Sequence, residues 1–219
     1  GNILVIEKPL KIKKNVKKFL SFFSKKKFFI SLPWFFEFNL KKIIDNFVNS
    51  GGVNHIKFIW FDDNKKKYGL SKNYDKNICY SEDIFSHIYS IIYDDKFKPS
   101  NLEFLSFKIK NKVEYVIFNY KKIKIEIQCS NQINKNLKKI VFSKNKKIIS
   151  QIKISNRYFN INDKIKKINT KLDKKLNNLT IQYKYLLNEK NIKKFKNLCI
   201  PQILYQNHLH ILCKNYKNK

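Results

Sequence analysis

The chain has 219 residues, 43% of them hydrophobic and 15% aromatic, which is enough apolar mass for a real core and excludes a disordered tail. Its net charge is +31, from 47 basic against 16 acidic side chains, so the leading class of partner is nucleic acid, ahead of an anionic membrane surface. No apolar run approaches a membrane span and no signal peptide is visible; a chain opening on Gly1 reads as processed or trimmed.

Arg157 is the only arginine among the 47 basic residues; Lys, Asn, Ile, Phe and Tyr dominate, and Met is absent. That bias looks like coding in a very AT-rich genome, so part of the lysine excess is mutational rather than functional.

In chain order, residues 2–7 read as a short buried strand stopped by Pro9. The basic run 11–18 leads into a helix carrying Phe19, Leu20, Phe22 and Phe23, and 28–32 is a strand ended by Pro33. Residues 37–49 place Leu40, Ile43, Ile44 and Phe47 at helical spacing, with Gly51-Gly52 as the stop. Residues 55–61 alternate as a strand. Ser81-Glu82-Asp83 opens another helix, with Ser81 as N-cap and the acids matching the helix dipole.

Residues 102–154 are mostly period-two, with strands at 105–109, 113–117, 123–127 and 148–154 joined by short Lys/Asn links. Over 162–197 the period changes to three and four, which predicts a long amphipathic helix or a helical pair ended by Pro201. A terminal strand over 202–213 follows, putting His208 and His210 on one face and Leu209 and Ile211 on the other. The expected fold is α+β, one domain over 1–219, with a central antiparallel β-meander packed by amphipathic helices.

The cysteines, Cys79, Cys129, Cys199 and Cys213, show no CxxC or Cys/His metal spacing, so zinc is not expected. Their even number fits two disulfides, or one disulfide plus thiols used elsewhere. There is no glycine-rich phosphate loop, GxSxG elbow, HExxH or acidic metal cluster. What remains is metal-free acid–base chemistry on a polyanion. RNA cleavage of that kind needs a base for the 2′-hydroxyl, an acid for the leaving oxygen and a cation for the phosphate. Glu7 at a strand end, Arg157 with its planar fork, and His208 or His210 supply those parts. The lysine runs containing Lys13, Lys14, Lys65 and Lys66 are backbone tracks, and Tyr158, Phe159, Trp34, Trp60 and Tyr68 are candidates for base stacking.

On its size, composition, Ile6-Glu7, isolated Arg157, His208-Leu209-His210 and Cys213, the chain resembles the γ subunit of zymocin-type yeast killer toxins. These are encoded on AT-rich cytoplasmic linear plasmids and secreted with chitin-binding partner subunits. The resemblance implies a ribonuclease-like domain acting, without metal or cofactor, as a tRNA anticodon endonuclease. It would cut beside a modified wobble uridine and leave 2′,3′-cyclic phosphate and 5′-OH ends. Glu7, Arg157 and His208 would form the catalytic set, with His210 the alternative imidazole. Cys213 would match the cysteine that joins the toxin to its carrier subunit by an interchain disulfide. The expected partners are therefore tRNA and carrier subunits, and the expected location is secreted, with action in the target cytoplasm and no stable membrane insertion. The alternative reading is a non-catalytic organellar ribosomal or other RNA-binding protein, with reduced thiols.

Overall fold

The computed structural model describes residues 4–6, 16–25, 28–32, 38–63, 78–92, 102–120, 122–154, 158–161, 164–167 and 178–218. The chain opens with a βαβ unit. Strand β1 (Leu4–Ile6) lies parallel to β2 (Phe28–Ile30), and α1 (Val16–Lys25) provides the crossover that a parallel pair requires. Phe23 of α1 and Phe29 of β2 are fully buried.

Helix α2 (Phe38–Asn49) ends where expected, with Gly51 at a φ of 64°, a conformation that only glycine adopts without cost. Strand β3 (His55–Phe61) leads to helix α3 (Tyr80–Ile92). Five antiparallel-type strands follow: β4 (Leu102–Lys110), β5 (Val113–Tyr120), β6 (Ile123–Ser130), β7 (Leu137–Lys144) and β8 (Lys147–Ile154). Then come β9 (Tyr158–Ile161), β10 (Lys164–Lys167), α4 (Asn178–Leu186) and α5 (Glu189–Lys217).

The main sheet has eight strands in the order β10-β9-β8-β7-β3-β6-β5-β4. It is not the uninterrupted antiparallel meander expected from 102–154, because β3 enters between β6 and β7. Strand β3 runs antiparallel to β7 and parallel to β6. The physical cause is visible in the register. Ile56, Phe58 and Trp60 alternate with half-exposed residues and stand opposite Ile125, Ile127 and Cys129 on β6. One buried row, Phe107–Val116–Ile127–Phe58–Ile140–Ile152, crosses six strands with no polar break. The α+β class holds; the sheet is mixed.

Helices α2, α3 and α5 cover that face. Phe47 of α2 stacks on Phe142 of β7 at 4.3 Å, and Phe85 of α3 packs against Phe104 and Phe118. Tyr205 of α5 meets Tyr89 and Phe104. The opposite face is half-exposed. There Glu126 takes both His55, at 3.4 Å, and Lys57, at 3.4 Å. Burial, with help from Lys57 and Lys124, lowers the pKa of His55 from its usual 6.5 despite the opposing Glu126. The folded chain then binds this proton less readily than the unfolded chain. Stability from this group is present above pH 6.5 and is lost as the pH falls below it. A His55→Gln variant is expected to show a shallower acid-side fall in thermal midpoint than the parent, and an unchanged slope would count against this assignment.

Two hairpins use left-handed residues: Asn111 and Lys112 between β4 and β5, and Asn145 and Lys146 between β7 and β8, all with φ between 50° and 69°. This is the paired positive-φ pattern of a type I′ turn, in which glycine is the favoured second residue. Lys146→Gly is expected to stabilise the fold by about 1 kcal/mol, the lower end of the left-handed cost for a residue with a Cβ. Urea unfolding measures it.

Three further expectations change. The segment 162–197 is not one long helix: β10 and α4 lie within it, and residues 168–177 fall outside the described set. The segment 202–213 is not a strand but the second half of the 29-residue helix α5, which continues through Pro201. A proline inside a helix costs roughly 3 kcal/mol. Burial of Leu198, Cys199, Gln202, Gln206, Leu209 and Cys213 at spacings of three and four offsets it. The cap of α3 is Cys79 rather than Ser81. Glu82 reaches back to the Cys79 N–H at 2.9 Å, and the Glu114 carboxylate of β5 accepts from the Tyr80 and Ser81 N–H groups at 3.0 and 2.7 Å.

The four cysteines are all free and buried, so the expected disulfides are not formed. Burial pushes the Cys199 thiol up to about 12, and its sulfur accepts from the Ile30 N–H at 3.5 Å. Beside it, the amide of Gln182 in α4 acts as a strand partner for the end of β2, accepting from Leu32 N–H at 3.0 Å and donating to the Ile30 carbonyl at 3.0 Å. Gln182→Leu leaves both backbone groups buried and unpaired, an expected loss of about 1–3 kcal/mol for each. A denaturant midpoint equal to the parent's would refute that role.

Candidate active site

Parallel strands β3 and β6 end side by side at Phe61 and Ser130, and the ladder runs one residue further, with Asp62 N–H donating to the Ser130 carbonyl at 3.0 Å. Open α/β sheets take ligands beyond the carboxyl ends of such strands, where the strand direction switches. In this sheet β3 and β6 form the only parallel pair among the described strands, flanked on both sides by antiparallel neighbours.

Trp60, Asp62, Tyr80, His87 and Lys138 converge there, with Asp83 one turn before His87 on α3. Asp62 is buried at the end of β3. Its Oδ2 accepts from the Tyr80 hydroxyl at 2.5 Å and the Trp60 indole N–H at 3.3 Å, and its Oδ1 lies 3.4 Å from the Lys138 ammonium. Lys138 stands opposite Trp60 in the register and sits 4.7 Å from its ring centroid. His87 lies flat on Trp60, with ring centroids 5.4 Å apart and an interplanar angle of 7°. Tyr80, Asp83 and His87 recur at spacings of three and four on α3, which puts them along one side of the helix. Asp83 and His87 are half-buried, whereas most of α3 is buried. The result is an imidazole, a carboxylate, a phenol and an ammonium on an aromatic floor, with the Asp83 carboxylate on the same side of α3.

A second polar cluster lies at the amino end of α3. His210 Nδ1 is 3.0 Å from Glu82 Oε2, with Cys79 and Cys213 alongside. Burial raises the Glu82 carboxyl above its usual value, opposed by its bonds to Cys79 N–H and His210.

The residues singled out from the sequence fare unevenly. Glu7, Arg157, Lys13, Lys14, Lys65 and Lys66, with Trp34 and Tyr68, lie outside the described residues. Tyr158 is the first residue of β9. His208 and His210 do not share a face, because two residues on a helix stand about 200° apart. His208 is exposed and packs edge-on against Phe104 at 5.3 Å, while His210 turns to Glu82. Cys213 is buried, its sulfur 4.0 Å from the Ser81 hydroxyl. Trp60, expected as a base-stacking residue, is the floor of the cluster. Asp62, Asp83, His87 and Lys138 were not singled out; the one local signal is the i, i+4 spacing of Asp83 and His87.

Neither the protein-family models nor the curated proteins match the sequence. Solved structures match its fold. An oxidoreductase from Thermotoga maritima aligns at a TM-score of 0.61 and 14% identity, over 96% of this chain and 68% of its own. A Gfo/Idh/MocA family oxidoreductase from Vibrio cholerae aligns at 0.58 and 8% identity, over 100% of this chain and 73% of its own. An oxidoreductase from Agrobacterium radiobacter, solved in complex with NAD+, L-tartaric acid and magnesium, aligns at 0.54 and 10% identity, over 94% and 70%. This likeness corrects the killer-toxin resemblance and, with it, both the tRNA-nuclease and the RNA-binding readings. What the chain shares with these proteins over nearly its whole length is the fold.

Proposed function

We propose that this chain is an oxidoreductase of the dehydrogenase type acting on a small hydroxylated acid, and that Trp60, Asp62, Asp83, His87 and Lys138 form the substrate side of its active site. The observation that carries the reading is the flat stack of His87 on Trp60 beside the Asp62–Lys138 pair, at the carboxyl ends of the parallel strands. The shared fold supports it, and so does the tartrate found with the Agrobacterium radiobacter oxidoreductase.

Oxidation of an alcohol to a carbonyl removes a proton from the hydroxyl oxygen and a hydride from the carbinol carbon, and a nicotinamide dinucleotide, when bound, would accept the hydride. His87 is the group suited to take the proton near neutral pH, and the indole beneath the ring holds its plane. Lys138, already paired with Asp62, offers an ammonium to a substrate carboxylate, and a net charge of +31 draws acids toward the protein.

The oxidoreductase from Agrobacterium radiobacter was solved in complex with NAD+. The dinucleotide's pyrophosphate needs open backbone N–H groups at a helix N-terminus or a glycine-rich turn. At α3 the first N–H groups are taken by the carboxylates of Glu82 and Glu114, and the four glycines of the sequence make no glycine-rich phosphate motif. The start of α3 therefore does not offer that cradle, and the chemistry assigned to Trp60, Asp62, Asp83, His87 and Lys138 is confined to the substrate.

The test is equilibrium titration with tartrate and related hydroxy acids, read by tryptophan fluorescence in the parent and in Trp60→Phe, with parallel assays for substrate-dependent reduction of NAD+ and NADP+. Saturable quenching lost in Trp60→Phe, together with dinucleotide reduction, is expected. Absence of both across the panel would sink the proposal.

A further inference from the structure

The geometry points to a binding site for a thiophilic divalent cation of the zinc class between α3 and α5, with Cys79, Cys213 and Glu82 as its three protein ligands and His210 as the residue that orients Glu82. One ligand atom from each of Cys79, Glu82 and Cys213 lies within 4.8 Å of the other two, and all three residues are buried. Tetrahedral zinc with thiolate and carboxylate ligands at about 2.0–2.3 Å requires donors gathered this closely. The His210 ring nitrogen meets the second carboxylate oxygen of Glu82 at 3.0 Å. Carboxylates that ligate a metal are in turn hydrogen-bonded by outer-shell partners, the part His210 would play here. Two thiols together with an oxygen donor select zinc over magnesium or calcium, which prefer all-oxygen shells.

A disulfide would use only the two sulfurs and leave the carboxylate and the imidazole without a part. A metal ion uses all four groups. Its charge balance also suits the place: two thiolates and a carboxylate around a dication leave one net negative charge, at the positive end of α3. On binding, two metal–sulfur bonds and one metal–oxygen bond form. The two thiol protons, with any proton on Glu82, pass to solvent. The ligands come from the cap and first turn of α3 and from the last third of α5, so the ion ties the final helix to the sheet-covering one. The cluster shares no residue with the Asp62–His87 group and does not rest on the proposed oxidoreductase function. The spacing rule for zinc cannot find it, because Cys79 and Cys213 meet only through the fold.

The experiment uses the full chain, reduced and stripped of metal, titrated with Zn2+ against a chromophoric chelator and separately with Co2+. One equivalent of uptake and a thiolate-to-cobalt charge-transfer band are expected, with a rise in thermal midpoint on adding Zn2+. The band should vanish in the Cys79→Ser/Cys213→Ser variant and persist in Cys199→Ala. His210→Gln should weaken Zn2+ binding roughly 10- to 100-fold. Glu82→Gln, which keeps an acceptor for the Cys79 N–H, should weaken binding while leaving the circular dichroism of the apo protein intact. No stoichiometric uptake by the folded parent overturns the site, as does a band that survives loss of both thiols. A thiol pair that closes to a disulfide in air yet takes up no metal when reduced is a redox pair, and that result overturns it too.

Discussion

His87→Gln is expected to slow turnover of the hydroxylated acid by about 100- to 10,000-fold, the range over which a positioned acid–base group acts. Substrate affinity should change little, because Trp60, Asp62 and Lys138 remain in place. The imidazole is fixed face-down on the indole, so its ring nitrogens are held in one plane at the edge of the stack. Glutamine can fill much of the space but cannot carry a proton at neutral pH. The pH–rate profile should therefore lose the limb that the imidazole contributes. Full turnover with an unaltered profile in the variant would show that His87 serves only to cover Trp60. Comparison with Asp62→Asn separates the roles: that change disturbs the Tyr80, Trp60 and Lys138 contacts and should appear mainly in KM.

Phe58→Ala should be the most damaging single change to the sheet. Phe58 is 1% exposed and sits mid-row, between Ile127 on one side and Ile140 on the other. Removing its ring costs about 3–5 kcal/mol through lost transfer energy and the cavity left behind. Against a total stability of about 5–15 kcal/mol for a typical domain, that brings the protein close to unfolding. The neighbouring Ile59 points to the half-exposed face, and Ile59→Ala should cost much less. Urea unfolding of the two variants decides the matter, and equal losses would mean that β3 is not a core strand.

The contrast between these two predictions shows which parts of the protein were legible in advance. The alternation of His55 to Phe61 predicted β3 with its observed bounds, and hence that Phe58 lies inward. The helical spacing of Leu40, Ile43, Ile44 and Phe47, closed by Gly51, predicted α2. Nothing local told that β3 would pair with β6 and β7, because strand order depends on contacts between distant segments. The same gap hid the candidate site. Trp60, Asp62, Tyr80, His87 and Lys138 are spread over three elements, and only their assembly gives any of them a role.

The tail shows the limit most plainly. Read as a strand, His208 and His210 share a face; read as a helix, they part. Apolar residues at 203, 204, 205, 209, 211 and 212 satisfy neither period cleanly. What decided was burial: α3 and the end of β4 offered a surface that Leu198, Gln202, Gln206, Leu209 and Cys213 meet only at helical spacing, and that packing outweighs Pro201.

The amino-acid order by itself determined the α+β character, the inward faces of β3 and β6 and the positive charge, since these follow from side-chain period and composition alone. The place of β3 in the sheet, the helical state of the tail and the meeting of Cys79, Glu82, Cys213 and His210 were decided by tertiary structure. Each of these is a choice between locally equivalent options, and only the burial of distant apolar surfaces against one another separates them in energy.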